Sequence, residues 1–332
     1  MSECFPITDK NKNTDLPINR EQKSLKYLHG LFIKYHANIL YTAPATIKSY
    51  CYNFGLLLQY NPNITIKDLT EETMINFFEF LNTRKRKVGK EYIVREYKKS
   101  AAATVRGKLN TFFKWLSERK YLIKNPFDTM QYPDFSYTDP RAFTSKEIEI
   151  ICHAVNTKIH WSNLLIKKRN IALVMFLLYT GVRKSELLQI TLSDIDLLKK
   201  TVVVRSYTSK SKRARIIPLN SELIPYLEDY LNYRDKYSIP LLWVSGTQDI
   251  ALTEHGAKHF IVLLSKITHI NCHLHRFRHT FASSYYRSTQ DLLGLKRLMG
   301  HRSLNMTLSY LRSLADDYLV QQVKKMTIKD FI

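Results

Sequence analysis

Between residues 125 and 141 the chain reads NPFDTMQYPDFSYTDPR, and Pro126, Pro133 and Pro140 cut everything else into two parts. Proline fixes φ and has no N–H to donate, so no helix or ladder continues through three of them. No apolar periodicity survives there, and 131–143 reads as a linker between an N-terminal domain over 1–130 and a C-terminal domain over 144–332. Two domains also suit a length of 332 residues, and 45% hydrophobic residues with 21 Tyr and 16 Phe give both a core.

From about Leu25 to Arg119 apolar residues recur every three or four positions, as in Ile47, Tyr50 and Phe54, then Met74, Phe77, Phe78 and Leu81. That spacing predicts helices, and strand signals are scarce. Thr70 before Glu71 and Glu72 reads as an N-cap, and Ser100 can cap the helix AAATVRGKLNTFFKWLSER. Leu109, Phe112, Phe113 and Leu116 supply that helix's apolar face. Arg106 and Lys108 lie nearer its start among small residues, either as DNA contacts or as a solvated basic face.

The second half opens with a T-x-x-E capping box, Thr144 and Glu147, ahead of Ile148, Ile151 and Val155. The apolar run Ile171 to Tyr179 is about half the roughly 20 residues needed to cross a bilayer. Lys167, Lys168, Arg169 and Arg183 bracket it, so it predicts a buried helix ending at Thr180-Gly181 and no membrane partner. TVVVRS and RIIPL alternate as the arms of a hairpin whose tip, YTSKSKRA, is cationic. Helical patterns then run to the end, where Leu319, Val323, Met326 and Phe331 give an amphipathic tail. The expected fold is mainly α with a small β-hairpin or sheet.

Lys and Arg number 51 against 29 Asp and Glu, a net charge of +22. Such a surplus attracts a polyanion through phosphate neutralisation and counterion release. Cys4, Cys51, Cys152 and Cys272 form no CxxC, and the polar start MSECFPITDKNKNTD has no apolar signal core. Both point to a reducing, cytoplasmic, nucleoid-associated location.

Four segments carry the chemistry: TGVRKSEL at 180–187, SKSKRAR at 209–215, HRFRH at 275–279 and GHRSLNMTLSY at 300–310. Singly each has a bland structural reading. Together, in this order, they resemble the tyrosine recombinases, the phage integrase and Xer-like family. The family's T-G-x-R-x-S-E-L segment matches at Arg183 and Glu186, its H-x-x-R at His275 and Arg278, and its G-H segment with a tyrosine nine residues on at Gly300, His301 and Tyr310. Counting back from Arg215-Ile-Ile-Pro-Leu places the family lysine at Lys210, with Lys212 a nearby rival and DNA contact; Ser209 and Ser211 stand where the family has glycine. DLTEET, FFEFL and SAAATVRGKLNTFFKWL are similar to the family's core-binding domain.

The resemblance implies a two-domain architecture, an all-helical, SAM-like core-binding domain followed by a mixed α+β catalytic domain. It implies cleavage and rejoining of double-stranded DNA through a 3′-phosphotyrosyl link to Tyr310, with a homotetramer on paired sites. Arg183 and Arg278 suit the charge that builds on a phosphate in its transition state, because each guanidinium offers paired donors. A phenol has an ordinary pKa near 10 and needs help to attack, for which His275 is the helper. His301 would bond the phosphate or place Tyr310, Lys210 would protonate the departing 5′-oxygen, and Glu186 would orient cationic neighbours. No cofactor, ATP or metal is implied, and no GxxxxGK[ST] loop is present.

Rival readings remain from other classes. Cys272, His273, His275 and His279 cluster, and His255 and His259 stand four apart, but neither array has a second Cys pair or an HExxH, so no metal is expected. A non-catalytic DNA-binding protein fits the charge alone. A type IB topoisomerase or a transposase would share the chemistry.

Overall fold

The computed structural model describes residues 24–88, 91–94, 97–131, 142–205 and 214–311. The chain divides into two compact units, Met1–Tyr137 and Thr138–Ile332.

The first unit contains helices α1 (Leu25–Asn38), α2 (Pro44–Tyr60), α3 (Glu71–Thr83) and α4 (Lys99–Glu118). Ser24 caps α1 through Tyr27 N, Pro44 occupies the first turn of α2, and Thr70 accepts from Thr73 N at the start of α3. Each device satisfies or removes an N–H that a helix start leaves unpaired. α4 departs from the expected cap. The amides of Ala101 and Ala102 donate to Lys98 O at 2.8 and 3.0 Å, which starts the helix at Lys99 and puts Ser100 inside its first turn. A second departure is an antiparallel pair, β1 (Lys85–Val88) with β2 (Glu91–Val94), in register Lys85 to Val94 and Val88 to Glu91. Four-residue strands are too short for alternation to stand out in a sequence.

Aromatic rings fill this unit's core. His29 is 7% exposed, stacks on Phe54 at 3.9 Å and meets Phe112 edge-on at 5.1 Å. Burial among these rings lowers its pKa to about 4. The unfolded chain therefore takes up a proton at His29 as pH falls below about 6.5, before the folded chain does. The stability held by the neutral ring is complete above that pH and is lost as pH falls towards 4, a loss of about 3 kcal/mol. Urea unfolding followed by fluorescence between pH 7 and pH 4 should show this fall, and His29→Leu should flatten it.

The second unit begins with α5 (Ser145–His153), where Thr144 and Glu147 form the expected capping box, and a π-helical turn Ala154–Lys158 follows. α6 (Leu164–Thr180) is buried along most of its length and packs against α8 (Ile224–Arg234) and α10 (Leu274–Thr289). Arg169 enters that interior by donating to Val244 O at 2.9 Å, to Ser245 O and to Asn170 Oδ1. Gly181 ends α6 with φ +57, where a Cβ would lie 2.3 Å from the Phe281 ring. Only glycine satisfies both that left-handed backbone and that close approach. α7 (Lys184–Leu187) follows directly.

Strands β3 (Ile195–Asp196), β4 (Thr201–Val204) and β5 (Arg215–Pro218) form an antiparallel sheet in that order. Thr201 pairs with Pro218 and Val204 with Arg215, so β4 and β5 are the predicted hairpin. Lys210 and Lys212 at its tip lie outside the described residues. Helices α9 (Glu254–Thr268), α11 (Leu292–Met299) and α12 (Leu304–Leu311) are the remaining α-helices among the described residues of this unit. Among the described residues no helix is long and apolar enough to cross a membrane.

Candidate active site

Two glycine turns and helices α7, α10 and α12 of the second unit bring the motif residues together. Arg183 sits at the start of α7, just beyond the Gly181 turn that ends α6. His275 and Arg278 are three residues apart on α10 and share a face. Gly300, at φ +63, ends α11 and delivers His301, and Tyr310 comes from α12. Arg183, His275, Arg278, His301 and Tyr310 line one cavity of about 640 Å³.

Arg278 is 1% exposed and donates in several directions. Nη1 reaches Gly181 O at 2.6 Å, and Nη2 reaches Met299 O at 2.7 Å and His301 Nε2 at 3.0 Å. Its Nε donates to the Tyr310 hydroxyl at 3.3 Å. Burial and the nearby charge of Arg183 lower its pKa to about 10, which leaves it a cation at neutral pH. His301 is 6% exposed, and burial followed by the charges of Arg278, Arg183 and Arg215 lowers its pKa to about 3. It is a neutral ring. A guanidinium only donates, so Nε2 accepts and the Nδ1 hydrogen goes to Thr307 Oγ1 at 3.0 Å.

Glu186 organises the other side. Its 1% exposed carboxylate accepts from Arg183 N and Nη1, each at 2.9 Å, and from Arg215 Nη1 and Nη2 at 3.1 and 2.7 Å. Burial alone would raise its pKa, but the hydrogen bonds and charges of Arg215 and Arg183 win and hold it at about 2. Arg215 Nε also donates to Leu298 O at 2.6 Å, tying β5 to the end of α11. The Gly300 turn rests on that guanidinium, since a Cβ there would lie 2.9 Å from Arg215 Nη1.

His275 is exposed, with its ring 5.4 Å from that of Tyr310. His279, buried one turn further along α10, stacks on Tyr310 at 4.3 Å. Arg215 and His279 are the site neighbours that motif reading passed over. Arg215 served only to fix a register. His279 was visible four residues after His275, on the same helical face.

Of the two candidate DNA contacts on α4, Arg106 departs from expectation. Arg106 is 7% exposed, donates to Phe127 O at 3.2 Å and Met130 O at 2.5 Å, and lies over the Phe127 ring. Its guanidinium fastens the chain after α4 onto that helix and is not held out to a groove. Lys108 is half-buried, its ammonium 4.9 Å from the Tyr50 ring centre. Among the described residues no three metal-ligating side chains gather. His273, one of the clustered histidines, instead caps α10 by accepting from Arg276 N.

A phenol held beside guanidinium and imidazole groups on an open cavity suits an enzyme that exchanges phosphodiester bonds through tyrosine. The sequence profile of the phage integrase family matches residues 141–316. The chain belongs to that family. It is 30% identical over 211 residues to tyrosine recombinase XerC of Bacillus subtilis (strain 168), across 61% of this chain and 66% of the relative, just under two thirds of the relative's length. XerC of Anoxybacillus flavithermus is 25% identical over 87% of this chain and 93% of its own. Among solved structures, the Tn1549 transposon integrase in complex with a circular intermediate DNA matches with TM-score 0.71 and 17% identity over 92% of this chain and 99% of that one. A lambda integrase dimer bound to a COC′ core site matches with TM-score 0.67 and 16% identity over 90% and 79%. These likenesses carry the fold.

Proposed function

We propose that this protein is a site-specific recombinase that cuts and rejoins double-stranded DNA through a 3′-phosphotyrosyl intermediate on Tyr310. The observation that carries the reading is the 3.3 Å approach of the Tyr310 hydroxyl to Arg278 Nε, on a cavity shared with Arg183, His275 and His301. Arg183 and Arg278 hold the nonbridging oxygens, which gain charge as the phenol attacks. His275 takes the phenolic proton, and neutral His301 places Arg278. Glu186 orients Arg183. The bond energy stays in the phosphotyrosine, so a 5′-hydroxyl of a second strand reseals it without ATP. The relatives are named tyrosine recombinases, and solved proteins of this fold were captured on DNA, which supports DNA as the partner. Incubating the protein with random-sequence nicked duplexes and sequencing what remains attached in denaturant tests this. One recurrent sequence is the expected result, and no attached DNA would defeat the reading. Relaxation of supercoiled plasmid without strand exchange would favour a topoisomerase.

Lys210 donates the proton to the departing 5′-oxygen and Lys212 contacts the DNA backbone. Cleavage by Lys210→Ala should therefore fall more than by Lys212→Ala, and the reverse order in a single-turnover assay would exchange the roles. Lys108 belongs with the DNA contacts of the first unit, which acts as the core-binding domain over 1–130, with the catalytic domain over 144–332.

Four copies act on two paired sites, as enzymes of a mobile element in the cytoplasm, at the nucleoid. The amphipathic tail that carries Leu319, Val323, Met326 and Phe331 docks on a neighbouring copy. Deletion beyond Asp317 should weaken cooperative site occupancy in gel-shift titrations. Unchanged cooperativity would remove this contact.

A further inference from the structure

His279 takes no part in the chemistry above, yet its ring lies flat against the nucleophile. Positions 275, 278 and 279 share one face of α10, and that face meets α12. His279 is 1% exposed; its ring centre is 4.3 Å from that of Tyr310 with 27° between planes. It also meets His275 at 4.7 Å and 86°, so one buried imidazole supports both the phenol and the histidine assigned to take its proton. The other contacts of Tyr310 are looser. Its hydroxyl bond from Arg278 is 3.3 Å long, at the weak end of the range, and the His301 ring is 5.1 Å away. Tyr310 is half-buried next to the last residue of an eight-residue helix, and two side-chain torsions decide where its oxygen points.

We propose that His279 is a positioning residue for strand cleavage, a flat buried platform that fixes the Tyr310 ring so that its hydroxyl faces the phosphate held by the two arginines. The inference rests on the reading of Tyr310 as the nucleophile. What it requires of position 279 is an aromatic face and no proton transfer. A stacked aromatic pair shifts the population of the aligned ring by about two- to tenfold. A reacting atom displaced by about 1 Å loses on the order of 100-fold in rate. Loss of the platform should thus slow cleavage by about 10- to 100-fold. DNA affinity should not change, because His279 is buried and does not line the cavity.

The test compares His279→Leu, which removes the face, with His279→Phe, which keeps it. In single-turnover cleavage of a nicked cognate site, Leu is expected to be slow and Phe close to the parent, at equal DNA Kd and melting temperature. With 3-fluorotyrosine at position 310, the 19F resonance should move in His279→Leu and move less in His279→Phe, a change that a general loss of stability does not produce. Cleavage by His279→Leu at the parental rate overturns the inference. So does a folded His279→Phe as slow as His279→Leu, since a ring nitrogen would then be the essential part. If Leu prevents folding, His279→Gln takes its place under the same two outcomes. Tyr310→Phe separates the levels: an adduct formed without that hydroxyl defeats the nucleophile assignment itself, whereas its loss together with a fast His279→Leu defeats only the platform.

Discussion

Tyr310→Phe is expected to abolish covalent capture of DNA while leaving DNA affinity at its parental value and melting temperature within about 5 °C of it. The substitution removes one oxygen and keeps the ring, so the stack on His279 and the contact with His275 survive. What disappears is the acceptor for Arg278 Nε, a single hydrogen bond at 3.3 Å. Such a bond contributes about 1 kcal/mol to stability, small beside the loss of the group proposed to form the covalent bond. Denaturing gels after incubation with a nicked site measure the adduct, and any adduct in the Phe variant would move the nucleophile elsewhere. A mixing experiment adds the geometry. Tyr310 and Arg278 of one chain already meet, so on the proposed reading nucleophile and clamp are expected to act within one protomer. Tyr310→Phe mixed with Arg278→Ala should remain inactive, because neither protomer holds both groups. Restored cleavage would show that the tyrosine crosses to a neighbour.

The sequence exposed this site where spacing alone determines geometry. His275 and Arg278 share a face because helices repeat every 3.6 residues, and Gly181 and Gly300 mark turns that reach left-handed φ and place Arg183 and His301. The box at Thr144 and Glu147 and the pairing of β4 with β5 were legible for the same reason: each is written in residues close along the chain. Arg106 was misjudged because its fate is decided far away. It neighbours buried Val105 and stands three residues before buried Leu109, on the margin of the core face. The carbonyls that pull it inward belong to Phe127 and Met130, 21 and 24 residues later, and no local pattern announces them. Arg215 was missed likewise, its carboxylate partner lying 29 residues back. Lys210 and Lys212 fall outside the described residues, and the choice between them rests on the register that Arg215 anchors.

Glu186→Ala is expected to damage both stability and catalysis, more than its distance from the reacting oxygen suggests. The carboxylate is 1% exposed and takes four hydrogen bonds from two arginines whose side chains are 17% and 8% exposed. Removing the shared anion leaves two cations close together in a poorly solvated place, and breaking a buried pair this way costs about 3 to 5 kcal/mol. Arg183 then turns towards water and the clamp on the phosphate loosens, for about 100-fold in cleavage rate, the scale of losing one oriented donor at an oxyanion. Glu186→Gln tests charge apart from shape: its carbonyl still accepts, but its amide faces guanidinium donors, so it too should be destabilised. pH gives a second measurement. The folded carboxyl has a pKa of about 2, below its ordinary 4.5. Its contribution is therefore full above about 4.5 and lost as pH falls through 2, a span worth about 3 kcal/mol. Urea titrations of parent and Glu186→Gln over that range should converge as pH falls. Arg215→Met combined with Glu186→Gln, which removes one cation with the anion, should recover part of the stability and little of the cleavage, because Arg183 still lacks the partner that aims it. Strictly additive losses in that cycle would mean that Glu186 and Arg215 do not act as one unit.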